Sequence, residues 1–285
     1  VGGSRQVAAS VGAYKRRLAD FRATLFGMLD EMHAEVVEVP SASTEIQVNA
    51  VRYMYQVDPA RLTETVRTLF ENLVGAHVAG DFATQAQASY QAGAATADRS
   101  LRTLLDDTRD LTRLLRESPF LQRVAFVKAR VFEEMKGFTS DTASRLGAVL
   151  MEGLADGRSI AHIKSVLAKE FGVSVGRART IARTEVIGAL RRGRIEQAQS
   201  TAEELGVEIG MMWFSALSST TRVTHAERHG KVFTPAEVKQ FYTEGGNAIN
   251  CKCSQVEVIM KDGKPLQQKL VGREDERRRA YLKEG

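Results

Sequence analysis

Five prolines in 285 residues, with none between Pro119 and Pro235, constrain this chain more than any other feature. Proline removes a backbone donor and clashes with the preceding helical turn, so long proline-free stretches permit long uninterrupted helices. The apolar pattern fits that freedom. Val7, Val11, Tyr14, Leu18, Phe21, Leu25, Met28 and Met32 step by four and three, the stripe of a helix packed along a partner. Gly12 and Gly27 interrupt the stripe, which favours a bundle helix over a free coiled coil, and Pro40 is its expected end. Residues 40–57 read as a connector with one short extended piece. Asp58-Pro59 is a helix start, an N-cap side chain followed by a proline whose missing N–H does no harm. Leu62, Val66, Leu69, Phe70 and Leu73 continue that helix. Gly80-Asp81 is expected to restart the chain into an Ala- and Gln-rich segment, 81–98, suited either to close helix–helix approach or to an exposed helix. Leu101 to Leu115 marks a strongly periodic helix. Ser118-Pro119 caps the next, to about Lys136. Gly137 is expected to end it, with Ser140 or Asp141 capping a helix to about Ala155. A shorter helix runs from Ser159 to Phe171, Gly172 breaks the chain, and Ser174 caps a long helix over 174–205.

After Gly206 the period changes. VEIG with MMWFSAL, and SQVEVIM at 254–260, have strand character. Between them Thr234, Pro235 and Glu237 form a capping-box pattern for a short helix. The GGN at 245–247 follows no strand and opens no helix, so it reads as a turn. The tail from Lys261 is charged, either an exposed helix or partly disordered. The expected fold class is therefore α+β, predominantly α: an elongated helical N-terminal bundle plus a small C-terminal α/β unit with short strands. Its expected divisions are 1–140, 141–260 (the helix 174–205 with the β-containing unit 206–260) and a tail, 261–285.

No run of eighteen or more apolar residues exists, so no membrane-spanning helix is expected, and the first residues lack the layout of a signal peptide. Net charge is +5, mild for a dedicated nucleic-acid binder. The charge is uneven: residues 176–199 hold six Arg against two Glu, and 261–285 hold eight Lys or Arg against five Asp or Glu. These runs are either solvated helix faces or surfaces near a polyanion.

The span from Trp213 to Cys253 holds the single tryptophan, both cysteines and two of the five histidines. His225 and His229, four apart, point the same way on a helical turn. Cys251 and Cys253 flank one residue, a poor spacing for a mutual disulfide and a better one for shared ligation. Two His and two Cys suit tetrahedral zinc, and a site with four protein ligands is closed and structural. The other reading is a small core closed by hydrogen bonds and buried thiols. Glu227 does not follow the first His as in H-E-x-x-H, and Ser219, Thr220 and Thr221 beside Arg222 are what a polar turn carries, so the expectation is no enzyme and no catalytic residue. Glu185 faces the apolar side of its helix, with Ile181, Ala182 and Ala189. A buried carboxylate needs a cation, and Arg222 is the candidate partner; a helix-edge Glu reaching solvent is the alternative. Trp213 reads as the core plug of the small unit.

Taken together, ARTIARTEVIGALRRGRIEQAQ, MMWFSAL, TRVTHAERHGKVF and NCKC resemble the phage head morphogenesis family typified by the F protein of phage Mu. The resemblance covers about residues 145–260 and falls on Arg183, Thr184, Glu185, Trp213, Thr221, Arg222, His225, Gly230, Cys251 and Cys253. Ser218 stands where the family has an Asp, and Ala248 and Ile249 stand where prolines often precede the C-x-C; the lost Asp argues against acid chemistry here. The resemblance implies a minor capsid protein of a tailed phage or prophage, made in the host cytoplasm and carried inside the virion near the portal and inner capsid surface. Portal, capsid and scaffold proteins are the implied partners, with non-specific contact to packaged DNA and no membrane. Competing functions are a DNA-binding protein ejected with the genome and a metal-dependent nuclease or toxin-like enzyme.

Overall fold

The computed structural model describes residues 2–39, 50–105 and 118–284. Helix α1 (Gly2–Asp30) buries Val7, Val11, Tyr14, Leu18, Phe21, Leu25 and Leu29. The stripe thus ends on Leu29, and the helix stops ten residues before Pro40. Strand β1 (Ala34–Val39) follows, paired antiparallel with β2 (Ala50–Tyr55). The three β-branched valines of AEVVEV favour a pleated strand over a further helical turn. Asp58 accepts from the Ala60 and Arg61 N–H groups, 2.9 and 3.2 Å, and opens α2 (Pro59–Phe70) as expected. A π-helical turn, Glu71–Gly75, leads into α3 (Ala76–Leu104). The periodic run expected over 101–115 lies mostly outside the described residues, as does most of the connector, 40–49.

Three expected breaks are absent. Helix α3 passes through Gly80, α4 (Ser118–Ala155) passes through Gly137, and α5 (Ile160–Leu205) passes through Gly172. One interior glycine costs a helix about 1 kcal/mol, whereas burying one large apolar side chain contributes roughly 1.5–3 kcal/mol. Met135 and Phe138 flank Gly137, and Leu167, Phe171 and Ala178 flank Gly172, all buried. The flanking burial outweighs the glycine. The expected boundary at 140 therefore falls inside a helix, and the helix expected over 174–205 begins fourteen residues earlier.

Contacts divide the chain into two compact units: residues 9–82 with 131–179, and residues 1–8 with 83–130 and 180–285. In the first, Phe21 meets Phe70 edge-on at 5.0 Å and Phe171 at 6.1 Å. Tyr53 of β2 donates its N–H to Gly157 O, 3.0 Å.

In the second unit α3 and α5 approach backbone to backbone. A Cβ on Gly93 would lie 2.0 Å from Leu190 O, and one on Gly193 would lie 2.2 Å from Tyr90 O. Of the two roles open to the Ala-rich segment, close packing is the one adopted. The sheet order is β4–β3–β5–β6, all antiparallel, from β3 (Glu208–Phe214), β4 (Val232–Phe233), β5 (Ser254–Lys261) and β6 (Lys264–Pro265). Met211 and Trp213 project into a core with Ala97, Leu101, Ile195, Ala198, Val238, Phe241 and Ile259. Short α6 (Val223–Ala226) and α7 (Pro235–Thr243) sit in the connections, the latter with its full capping box at Thr234 and Glu237. The charged tail is not a loose appendage: it supplies β6 and α8 (Gln268–Glu284), and Glu274 of α8 is fully buried. The fold is α+β and predominantly α. No described helix is long and apolar enough to cross a membrane.

Candidate functional site

The site is built around the turn Asn247–Cys253, which leads from α7 into β5. Three side chains from elsewhere clamp its backbone, and a fourth, Arg183, holds the Asn250 side chain. Arg222 donates to Asn247 O at 3.2 Å and to Ile249 O at 2.7 Å. Arg183 donates to Asn250 Oδ1 at 2.7 Å, and Thr184 Oγ1 accepts the Asn250 N–H at 3.0 Å. Arg191 stacks on Tyr242, 3.5 Å from the ring centroid, and donates to Cys253 O at 3.3 Å. Asn250 has φ +55°, a conformation that Asn tolerates better than bulkier residues. Thr221 closes the polar loop before α6, its Oγ1 accepting the Ser218 N–H at 2.9 Å.

The clamped turn delivers both thiols to His225. His225 Nδ1 lies 3.4 Å from Cys253 Sγ and 3.5 Å from Cys251 Sγ, and all three side chains are buried. Trp213 stacks on Tyr242 at 5.2 Å and meets the His225 ring edge-on at 6.2 Å, so it is the core plug expected. Cys251 Sγ also receives the Cys253 N–H at 3.3 Å and faces Tyr242 Oη at 3.7 Å; Gln255 Nε2 donates to that same hydroxyl. The hydrogen bond from the Cys253 thiol, aided by the Arg191 charge and the Cys253 N–H, holds Cys251 down to about 4 against its burial. The same thiol–thiol bond, together with burial, pushes Cys253 up. Trp213 Nε1 is buried with no formed hydrogen bond, and its N–H favours the thiolate form of Cys253.

Two expected placements are corrected. His229 does not join the cluster. Helix α6 ends at Ala226, so the four-residue stacking of the two imidazoles is lost. His229 Nδ1 accepts the Ser215 N–H at 3.0 Å and Nε2 faces Glu274 Oε2 at 3.0 Å. These partners assign a neutral ring protonated at Nε2, with neither nitrogen left for a metal. Burial pushes the His229 pKa down. Burial works to raise Glu274, but hydrogen bonds from His229, Arg273 and Arg277 outweigh it and hold the carboxyl below its usual range. Gly230 permits this arrangement: its φ is +75°, and a Cβ there would lie 2.7 Å from Glu274 C. The second correction concerns Glu185, which pairs with Arg130 and not with Arg222. Arg130 sits in a segment whose register against Glu185 depends on helix packing.

The residues missed from the sequence are Arg191, Tyr242, Asn250, Ser215 and Glu274. Only Asn250, directly before the C-x-C, carried a local signal. The basic run 176–199 is partly engaged: Arg194 meets buried Glu257 through bonds of 2.6 and 2.7 Å, Arg183 and Arg191 hold the turn, and Arg177 pairs with exposed Asp141, while Arg179 is exposed.

A pocket of about 270 Å³ opens beside the thiols, lined by Arg183, Ser218, Thr220, Thr221, Arg222 and Lys252 along with the cluster. No Asp or Glu is among its lining residues. His225, Cys251 and Cys253 are the set that can hold a metal ion, their donor atoms lying within 4.8 Å of one another.

Residues 144–256 match the family described as "Phage Mu protein F like protein", which bears out the resemblance read from the sequence. The chain is 27% identical over 143 residues to NAD(+)–arginine ADP-ribosyltransferase EFV of Enterococcus faecalis, covering 46% of this chain and 28% of that protein. It is 27% identical over 127 residues to minor head protein GP7 of Bacillus phage SPP1, covering 41% of each. It is 27% identical over 152 residues to an uncharacterized protein of Haemophilus influenzae, covering 53% of this chain and 33% of that one. The chain thus spans less than half the length of each of these relatives. No solved structure matches it.

Proposed function

We propose that this chain, whose residues 144–256 are a Phage Mu F-like segment, is a minor head protein of a tailed phage or prophage with a structural part in head assembly. The family match carries this reading, and the similarity to minor head protein GP7 agrees with it. The geometry supports a structural role in its own terms. Arg183, Thr184 and Arg222, three residues of the family pattern, clamp one turn, and Gly230 lets α8 close on the unit. The pattern reads as a recipe for a small rigid unit.

In this reading the protein resides inside the virion, near the portal and inner capsid surface, with portal, capsid or scaffold proteins as partners. DNA contact is weak and sequence-independent, because Arg183, Arg191 and Arg194 of the 176–199 run are held by the turn and by Glu257. Co-expression with the capsid, portal and scaffold proteins of the same phage tests the assignment. Recovery of the chain in purified procapsids is the expected result; its exclusion from heads and portals would overturn it.

A non-enzymatic protein is part of the proposal. The similarity to an ADP-ribosyltransferase favours a second reading, but it covers 28% of that protein. Incubation with NAD and an arginine-bearing acceptor is expected to release no nicotinamide above buffer. Release by the wild type would establish the second reading.

A further inference from the structure

We propose that His225 Nδ1, Cys251 Sγ and Cys253 Sγ bind one zinc-class divalent ion, with its fourth position open to the adjoining pocket. Tetrahedral zinc with ordinary Zn–S and Zn–N bonds sets sulfur and nitrogen ligands about 3.5 Å apart. The two nitrogen–sulfur distances here are 3.4 and 3.5 Å. One imidazole nitrogen facing two sulfurs has one proton to offer and so can bond only one of them at a time; a metal at the shared centre serves all three donors. Two soft thiolates and one imidazole are the donor types that zinc and its neighbours take.

The surroundings suit such an ion. Metal ligation requires both sulfurs as thiolates. Cys251 already has N–H and O–H groups directed at it. Two thiolates and a neutral imidazole cancel the charge of a divalent ion. Ligation also moves the imidazole proton to Nε2, which faces Arg222 Nη1 at 3.3 Å. Arg222 is exposed, so it can withdraw from that contact while Nη2 keeps Ile249 O.

The fourth position differs from a closed structural site. His229 has both ring nitrogens engaged elsewhere, and the Ser215 hydroxyl donates to His225 O. The cluster instead forms one wall of the pocket lined by Arg183, Arg222 and Lys252. The remaining ligand is therefore water or a small anion, the latter favoured by three cationic side chains without a carboxylate among them.

The test uses the full chain. After exhaustive dialysis, mass-spectrometric metal analysis is expected to find about one zinc per chain. Cobalt exchanged into the site should give thiolate-to-metal absorption and the strong visible bands of a tetrahedral ion. Azide or inorganic phosphate should shift those visible bands. Cys253→Ser is expected to weaken binding by more than about 100-fold, and His229→Gln to leave the stoichiometry unchanged. Absence of metal together with failure to take up added zinc would overturn the site. Cobalt bands indifferent to both anions would overturn the open position. Loss of metal in His229→Gln with the helical circular dichroism retained would overturn the ligand assignment. If Cys253→Ser does not fold, the wild-type cobalt spectrum decides alone, since two thiolates give a charge-transfer intensity that one does not.

Discussion

His229 and Glu274 show how one residue's placement changes a chemical role. A histidine that reads as a ligand from its spacing is, in the fold, a neutral donor to a buried carboxylate. The pair makes stability pH-dependent in a definite direction. Burial lowers the His229 pKa from 6.5, so below 6.5 the unfolded chain takes up a proton that the folded chain refuses, and stability falls. Glu274 lies below its ordinary 4.5, so its contribution is present above 4.5 and is lost as pH drops through the folded value. Urea unfolding midpoints are expected to decline in two stages on acidification, first from about 6.5 and again below about 4.5. A His229→Ala variant should lose the first stage. It should also be about 2 kcal/mol less stable, because the Ser215 N–H and Glu274 each lose a buried partner. An unchanged midpoint between pH 7 and 5 in the wild type would contradict the assigned neutral tautomer.

Glycine divides into opposite roles at the scale of elements. Gly137 and Gly172 lie in helix interiors where a Cβ would have nothing within 4 Å, whereas one on Gly193 would meet Tyr90 O at 2.2 Å. Gly137→Ala and Gly172→Ala are therefore each expected to stabilise by about 0.5–1 kcal/mol. Gly193→Ala should destabilise by about 1–3 kcal/mol, through forced separation of α3 and α5. Gly230→Ala combines a positive φ with a backbone clash against α8, and about 2–4 kcal/mol is its expected cost. Denaturant unfolding of the four variants checks the signs, and a destabilised Gly137→Ala would mean that α4 bends there. Helix starts, by contrast, were readable because caps act within one turn: Asp58 and Thr234 bond to N–H groups two or three residues away.

Charge has its consequence for the whole molecule. A net +5 with a basic run suggests a polyanion surface, but Arg183, Arg191 and Arg194 of that run are held by the turn and by Glu257. Each phosphate contact adds about −0.9 to the slope of log affinity against log salt. With part of that run held in ion pairs and against the turn, that slope is expected to be no steeper than about −3 in fluorescence titrations with duplex DNA. A slope near −8 would mean an extensive basic face and would favour the reading of a genome-bound protein.

By itself the sequence determined the helical majority, the change of period after Gly206, both capped helix starts, the strands around Trp213 and 254–260, and the family resemblance. These signals are local or carried by contiguous motifs, so they survive without knowledge of packing. Only the tertiary structure decided that Arg130 and not Arg222 meets Glu185, that Glu274 of the tail captures His229, and that three glycines do not break their helices. Each of those outcomes depends on groups far apart in the chain, or on burial summed over several side chains, and it is this long-range sum that overrides a local preference of about 1 kcal/mol.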